Sequence, residues 1–253
     1  MSDTWEIYPC DIDGNIAFVS CDIGIAESVP LEDKSIALKI HLQLKNPDEN
    51  GLPTDSEFEV LKALEDAAID VIEKAGAIFV GRVTCAGSRY YICYMPEANL
   101  LQEPLESIIA DKFDYKLQFL ETDDPDWDVY WDELYPTEYD WQVINNRRLL
   151  ETLQENGDAL TRARRIDHWL YFATEDGRAK FEEEITTRDF KVEGQPESDK
   201  EDFPFGLQIY HSIVPDYQAI NAITIDLIDL AKNHDGNYDG WETEVLKGGS
   251  AAP

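Results

Sequence analysis

Apolar residues recur at two distinct periods along this chain, and the switches between them lay out its architecture. Ile36, Leu38, Ile40, Leu42 and Leu44 alternate with mixed neighbours, the period of a strand with one buried face. From 55 to 75 the period becomes helical. Phe58, Leu61, Leu64, Ala68, Val71 and Ile72 form one stripe, Thr54 or Asp55 stands at the start as a cap, and Gly76 ends the run. Glu57 and Glu59 sit near the positive end of that helix dipole. Residues 77–85 and 89–95 then read as two strands around Ala86-Gly87-Ser88, followed by a helix over 100–110 and a strand over 115–120. The order from 36 to 120 is therefore β-α-β-β-α-β, that of a ferredoxin-like α/β sandwich. Trp5 to Tyr8, the turn Asp13-Gly14-Asn15 and a strand over 16–23 extend it at the front.

An acidic, proline-marked break at 121–126 follows, then an irregular aromatic stretch containing Trp127, Tyr130, Trp131, Tyr135, Tyr139 and Trp141. The second half repeats the earlier order behind a leading helix over 145–156 that Gly157 closes. Ile166, His168, Leu170 and Phe172 alternate on a strand, as do Leu207, Ile209, His211 and Ile213 on another. Helices are predicted over 176–186 and 216–232, short strands over 190–192 and 241–246. The fold class is α+β: two tandem ferredoxin-like sandwiches, the first with extra strands, the second with an extra helix. The divisions are a domain at 1–124, an aromatic linker at 125–142, a second domain at 143–247 and a disordered tail at 248–253.

Charge sets this chain apart. The 253 residues carry 53 Asp and Glu against 21 Lys and Arg, a net charge of −32. The excess is even: 9 basic and 25 acidic side chains over 1–124, then 12 and 28 over 125–253. It is a property of the whole surface, which repels phosphate backbones and favours basic protein partners. With 43% hydrophobic residues the chain can bury real cores. The four cysteines, Cys10, Cys21, Cys85 and Cys93, fit no common zinc spacing, and no stretch approaches the length of a membrane helix. A soluble, reduced, cytoplasmic protein is the expectation, with thiols in the core.

Candidate chemistry is sparse. Asp235, Asn237 and Asp239 followed by Gly240 open like a calcium loop, but the twelfth position is Leu246 and a strand follows. The stretch reads instead as a helix-to-strand corner, in which Gly236 or Gly240 takes positive φ and Trp241 begins the last strand and anchors it. His41, His168 and His211 alternate with apolar residues on strands, and Asp167 and His168 point to opposite faces. No nucleophile elbow, phosphate loop or dinucleotide fingerprint is present. Arg147, Arg148, Arg162, Arg164 and Arg165 cluster, and are expected to pair with neighbouring acids. The RNA-recognition module shares the strand order, but its aromatic strand motif is absent and the charge is of the wrong sign. No catalytic residue, metal or cofactor is predicted; the alternative is a ligand-binding or hydrolytic module with an aromatic, acidic cleft between Trp127 and Trp141.

The C-terminal half resembles the regulator of ribonuclease E activity B (RraB) family. The residues that carry the likeness are Gly157-Asp158, Arg165-Ile166-Asp167-His168 and, most specifically, Tyr238-Asp239-Gly240-Trp241. The N-terminal half is similar to the domain of unknown function often fused ahead of it, through Trp5, Tyr8, Gly51-Leu52-Pro53, Val80-Gly81-Arg82, Gly87, Arg89 and Tyr94. The resemblance implies a ferredoxin-like fold in the second half and a non-enzymatic role: an acidic protein that binds the basic scaffold region of ribonuclease E and inhibits RNA cleavage.

Overall fold

A computed structural model describes residues 2–247, so the tail expected at 248–253 lies outside the described residues. The chain forms two compact units, Met1–Thr137 and Glu138–Pro253. Both are mixed α and β with antiparallel sheets, giving two tandem α+β domains.

The first unit contains strands β1 (Trp5–Ile12), β2 (Asn15–Asp22), β3 (Ile36–Gln43), β4 (Ile78–Cys85), β5 (Ser88–Met95) and β6 (Leu117–Asp123). Its helices are α1 (Asp55–Lys74), α2 (Gln102–Phe113) and α3 (Asp128–Glu133). The sheet order is β1-β2-β4-β5-β3-β6. Helix α1 connects β3 to β4, and β5 lies between them, which is a split β-α-β arrangement. The β1–β2 hairpin joins the β4 edge. Leu38, Ile40 and Leu42 of β3 meet Leu61, Leu64 and Ile72 of α1 and Leu105 and Ile109 of α2 in one core. The alternation of β3 and the stripe of α1 are the two sides of this contact.

Three details of α1 differ from its sequence pattern. Thr54 makes no side-chain cap bond. Glu57 is 4% exposed, and its carboxylate accepts the N–H groups of Lys45 (2.6 Å) and Asn46 (2.7 Å) and the Tyr115 hydroxyl (2.6 Å). Burial pushes that carboxyl up, but these bonds outweigh it and leave it below the usual range. Phe58, placed on the apolar stripe by its period, is 44% exposed.

The opposite face of this sheet is closed by residues that read as a linker. Trp127 and Tyr130 are fully buried, and Trp127 stacks on Tyr94 with centroids 3.8 Å apart. The Tyr130 hydroxyl donates to the Asp22 carbonyl (2.9 Å) and that of Tyr8 to the Leu134 carbonyl (2.8 Å). Asp124 accepts from the Tyr94 hydroxyl (2.5 Å) and from the N–H groups of Asp128 and Val129. The acidic break is likewise part of the fold: Glu121 pairs with Leu38 and Asp123 with Ile36 on the edge strand β6. The division of the chain thus falls after Thr137, where Pro136 prevents Tyr135 from continuing a helix. The stretch 125–142 is shared between the two units rather than free, and Trp127 and Tyr130 are core residues, not the wall of a ligand cleft.

The second unit contains α4 (Glu138–Glu155), β7 (Arg164–Phe172), α5 (Glu175–Ile185), β8 (Lys191–Gly194), β9 (Phe205–Ile213), α6 (Tyr217–Lys232) and β10 (Gly236–Glu242). Its sheet order is β10-β7-β9-β8, again with a strand between the two that a helix connects. Leu170, Phe172, Leu207 and Ile209 pack on Phe181 and Ile185 of α5 and Leu227 and Ile228 of α6. Ile166, Trp241 and Ile220 pack on Leu150 and Leu153 of α4. Helix α4 begins seven residues before its sequence prediction, and Tyr139 packs against the larger core.

The last strand is the main correction. It runs over Gly236–Glu242, not 241–246, so the expected corner is itself the strand. Pairing with β7 shifts between Tyr238 and Gly240, a β-bulge in which Gly240 has φ +137°. The reversal lies just upstream, at Asp235 with φ +54°. Gly236 is needed for space rather than rotation: a Cβ there would lie 2.5 Å from the Phe172 ring.

Candidate functional site

The second sheet has a helix-covered face and an open one, and the residues singled out from the sequence divide between them. On the covered side, Gly157 takes φ +87° after α4 and delivers Asp158 into the interior. Asp158 is 4% exposed; it accepts N–H groups of Leu160 (2.9 Å) and Leu246 (2.6 Å) and a bidentate clasp from buried Arg164, whose Nη2 lies 2.8 Å from Oδ1. The Arg164 bonds hold its carboxyl well below the usual range, backed by those two N–H groups. One carboxylate therefore ties the exit of α4, the start of β7 and the segment after β10. Trp241 donates from Nε1 to Asn146 Oδ1 (2.7 Å), and Asn146 donates to Asn221 and Thr224 (2.8 Å each).

His168 is fully buried on this face. Its Nδ1 shares a hydrogen bond with the Tyr238 hydroxyl (2.9 Å), and its ring lies 5.0 Å from that of His211. Nε2 of each histidine is buried without a hydrogen-bond partner. Burial pushes His168 down to about 3, reinforced by His211, and pushes His211 down as well. Both are neutral at physiological pH, and among the described residues no carboxylate bonds either ring to orient it as a base. They are core histidines.

The open face carries the alternate residues of the same strands. Arg165, Asp167, Trp169 and Tyr171 of β7 lie beside Gln208 and Tyr210 of β9. Arg165 stacks 3.9 Å above the Tyr210 ring and bonds Asp167 (2.8 and 2.6 Å) and Glu193 (2.9 Å). Gln208 donates to Asp167 (3.1 Å). Lys200 lies 4.3 Å above the Tyr171 ring and pairs with Asp239. Two cations are thus each seated between an aromatic ring and a carboxylate, the arrangement that recognises guanidinium and ammonium groups. Pro196 crosses this face at Gly206, where an added Cβ would lie 2.4 Å from its carbonyl oxygen.

The other sequence candidates are placed as follows. The arginine cluster disperses into local partners: Arg147 with Glu151, Arg162 with the carbonyls of Leu246 and Lys247, Arg164 with Asp158, and Arg165 on the open face. Asp235 sits in the reversal and Asn237 and Asp239 on β10, where Asp239 holds Lys200. Among the described residues no three His, Cys, Asp or Glu side chains gather as metal ligands, the four cysteines are free thiols, and no helix is long and apolar enough to cross a membrane. Tyr171, Trp169, Tyr210, Glu193 and Lys200 were missed from the sequence. The period of β7 signals the first two, because the residues between Ile166, His168, Leu170 and Phe172 must face the other way.

No curated protein matches the chain. The likeness to solved structures is weak, as two examples show. One is an unknown protein from Galdieria sulphuraria, 9% identical, with 81% of this chain and 96% of that one covered and a TM-score of 0.20. The other is a putative glycine cleavage system transcriptional repressor, 8% identical, with 83% and 98% covered and a TM-score of 0.24. Neither bears on function at that level. Residues 143–243 match the family described as regulator of ribonuclease activity B. Residues 3–135 match DUF695, a family of unknown function, and the chain belongs to that family.

Proposed function

We propose that this protein is a non-enzymatic, cytoplasmic regulator that binds a basic segment of an RNA-degrading enzyme, ribonuclease E or one like it, and restrains cleavage by competing with RNA. The observation that carries the reading is the open face of the second sheet. There rings and carboxylates already hold Arg165 and Lys200, within a chain of net charge −32. An arginine-rich segment exchanges for the protein's own cations on that face and is drawn to it by the surrounding field. The RraB match supports the same direction, since that family is described as regulating ribonuclease activity.

The test uses the full chain and an immobilised arginine-rich ribonuclease scaffold peptide. The protein is retained at low salt, is released as salt rises, and slows RNA cleavage by the intact enzyme. Tyr171→Ala with Tyr210→Ala weakens retention without unfolding the unit. No retention of any basic peptide at any ionic strength refutes the proposal.

A further inference from the structure

The first sheet is wider than the helices that cover it. Helices α1 and α2 close the face over β3, β5 and their neighbours, but the β1–β2 hairpin extends beyond the flank of α1. The step between helix and hairpin leaves a cavity of about 350 Å³. Ile7 and Phe18 from the hairpin and Phe58 from α1 form its walls and remain 47%, 41% and 44% exposed. This explains why Phe58 departs from the core despite its helical position. Arg82, Thr84 and Arg89 line the same cavity.

Arg82 and Arg89 are the only arginines in the first 146 positions of a strongly acidic chain. Arg82 pairs with Glu65, whose carboxyl burial pushes up. Arg89 differs. It is 3% exposed, its Nε donates to Thr84 Oγ1 (2.9 Å), and the carboxylate that feels its charge is that of Glu65, which already pairs with Arg82. A buried guanidinium that has only a share of one carboxylate is under-compensated, and one that borders an apolar cavity is suited to an anion that enters it. Two guanidiniums share the one Glu65 carboxylate, which leaves one positive charge in excess. A monoanion matches it better than a phosphate of nearly two charges. The apolar walls demand an apolar body. Leu52 and Pro53, singled out from the sequence beside Gly51, also line the cavity, and Gly51 lets the loop close: a Cβ there would meet the Gly87 nitrogen at 2.8 Å.

We infer that the first unit is a binding site for a small monocarboxylate with an apolar body, its carboxylate on Arg89 and its body between Ile7, Phe18 and Phe58. The volume is at the lower end of small-molecule sites, which limits the ligand to a compact one. The inference is independent of the proposed ribonuclease role.

The test is titration of the full chain with 3-phenylpropionate and octanoate, followed by calorimetry and by amide chemical shifts of β2, β4 and β5. The neutral 3-phenylpropionamide and inorganic phosphate serve as controls. Saturable binding of a carboxylate is expected, at least tenfold tighter than the amide and than phosphate, with shifts confined to these strands. Arg89→Gln loses at least tenfold. Since that variant removes a buried group, Phe18→Glu is the second: its site is exposed, and a negative charge at the rim weakens the carboxylate equally while the melting temperature holds. Binding of neither acid at millimolar concentration overturns the inference, as does equal affinity for acid and amide, tighter binding of phosphate, or undiminished affinity in Phe18→Glu.

Discussion

Acidification from pH 7 to pH 5 tests the buried histidine pair most directly. His168 is neutral in the folded chain, with a value near 3 against the ordinary 6.5. The unfolded chain therefore takes up a proton below pH 6.5 that the folded chain refuses. Stability falls as pH drops through that window and stops falling near 3. At pH 5 the unfolded state gains about 2 kcal/mol from this one group, and His211, shifted the same way, adds to it. Asp158 and Glu184, whose values are lowered, act only below their ordinary values of 3.8 and 4.5, outside the window. The self-repulsion of a −32 chain eases on acidification and works in the opposite direction, so the absolute slope is uninformative. The variant His168→Gln removes the titration and retains a polar partner for Tyr238. Opening free energies of the β7 and β9 amides, from hydrogen exchange corrected for intrinsic rates, localise the effect to the second unit in the intact protein. Between pH 7 and pH 5 the wild type should lose about 2 kcal/mol relative to the variant. An identical pH dependence in both would refute the reasoning and mean that His168 is hydrated or paired in solution.

Three other perturbations address the packing. Trp241→Ala removes a buried indole and its bond to Asn146, and should cost about 3–5 kcal/mol in urea unfolding. Asp158→Ala strands the buried Arg164 guanidinium and should cost about 3–5 kcal/mol at pH 7. Because the Asp158 value is depressed when folded, the stability it contributes is present above about pH 4 and lost as pH falls further, and Asp158→Ala should flatten the acid limb of the unfolding curve. Tyr94→Phe leaves Asp124 without its hydroxyl donor and should destabilise the first unit by about 1–3 kcal/mol, read from exchange at β5 amides.

Much of the fold was legible because periodicity reports which side of an element is buried. The alternation in β3, β7 and β9 and the stripe of α1 each produced an observed element, and the β-α-β-β-α-β order was read twice. The failures share a cause. Residues 121–135 look like a linker because they are acidic, aromatic and aperiodic, yet Asp124, Trp127 and Tyr130 bury against partners that lie far away in sequence, Tyr94 and Asp22 among them. Residues 236–240 look like a turn because they are rich in Gly, Asp and Asn, and a β-bulge absorbs that composition within a strand. Local chemistry indicates what a segment tolerates; its neighbours decide what it becomes.

The same division holds for the sites. Sequence alone determined the acidity of the surface, the sidedness of the strands and the two-part organisation, since each depends on composition or on spacing along the chain. Folding alone places Arg165 and Lys200 over Tyr210 and Tyr171, sets His168 against His211, and brings Arg82 and Arg89 to Phe58 and Phe18 around one cavity. These are contacts between strands and helices distant in sequence, set by sheet register and by where a helix ends its cover, and no period along the chain encodes them.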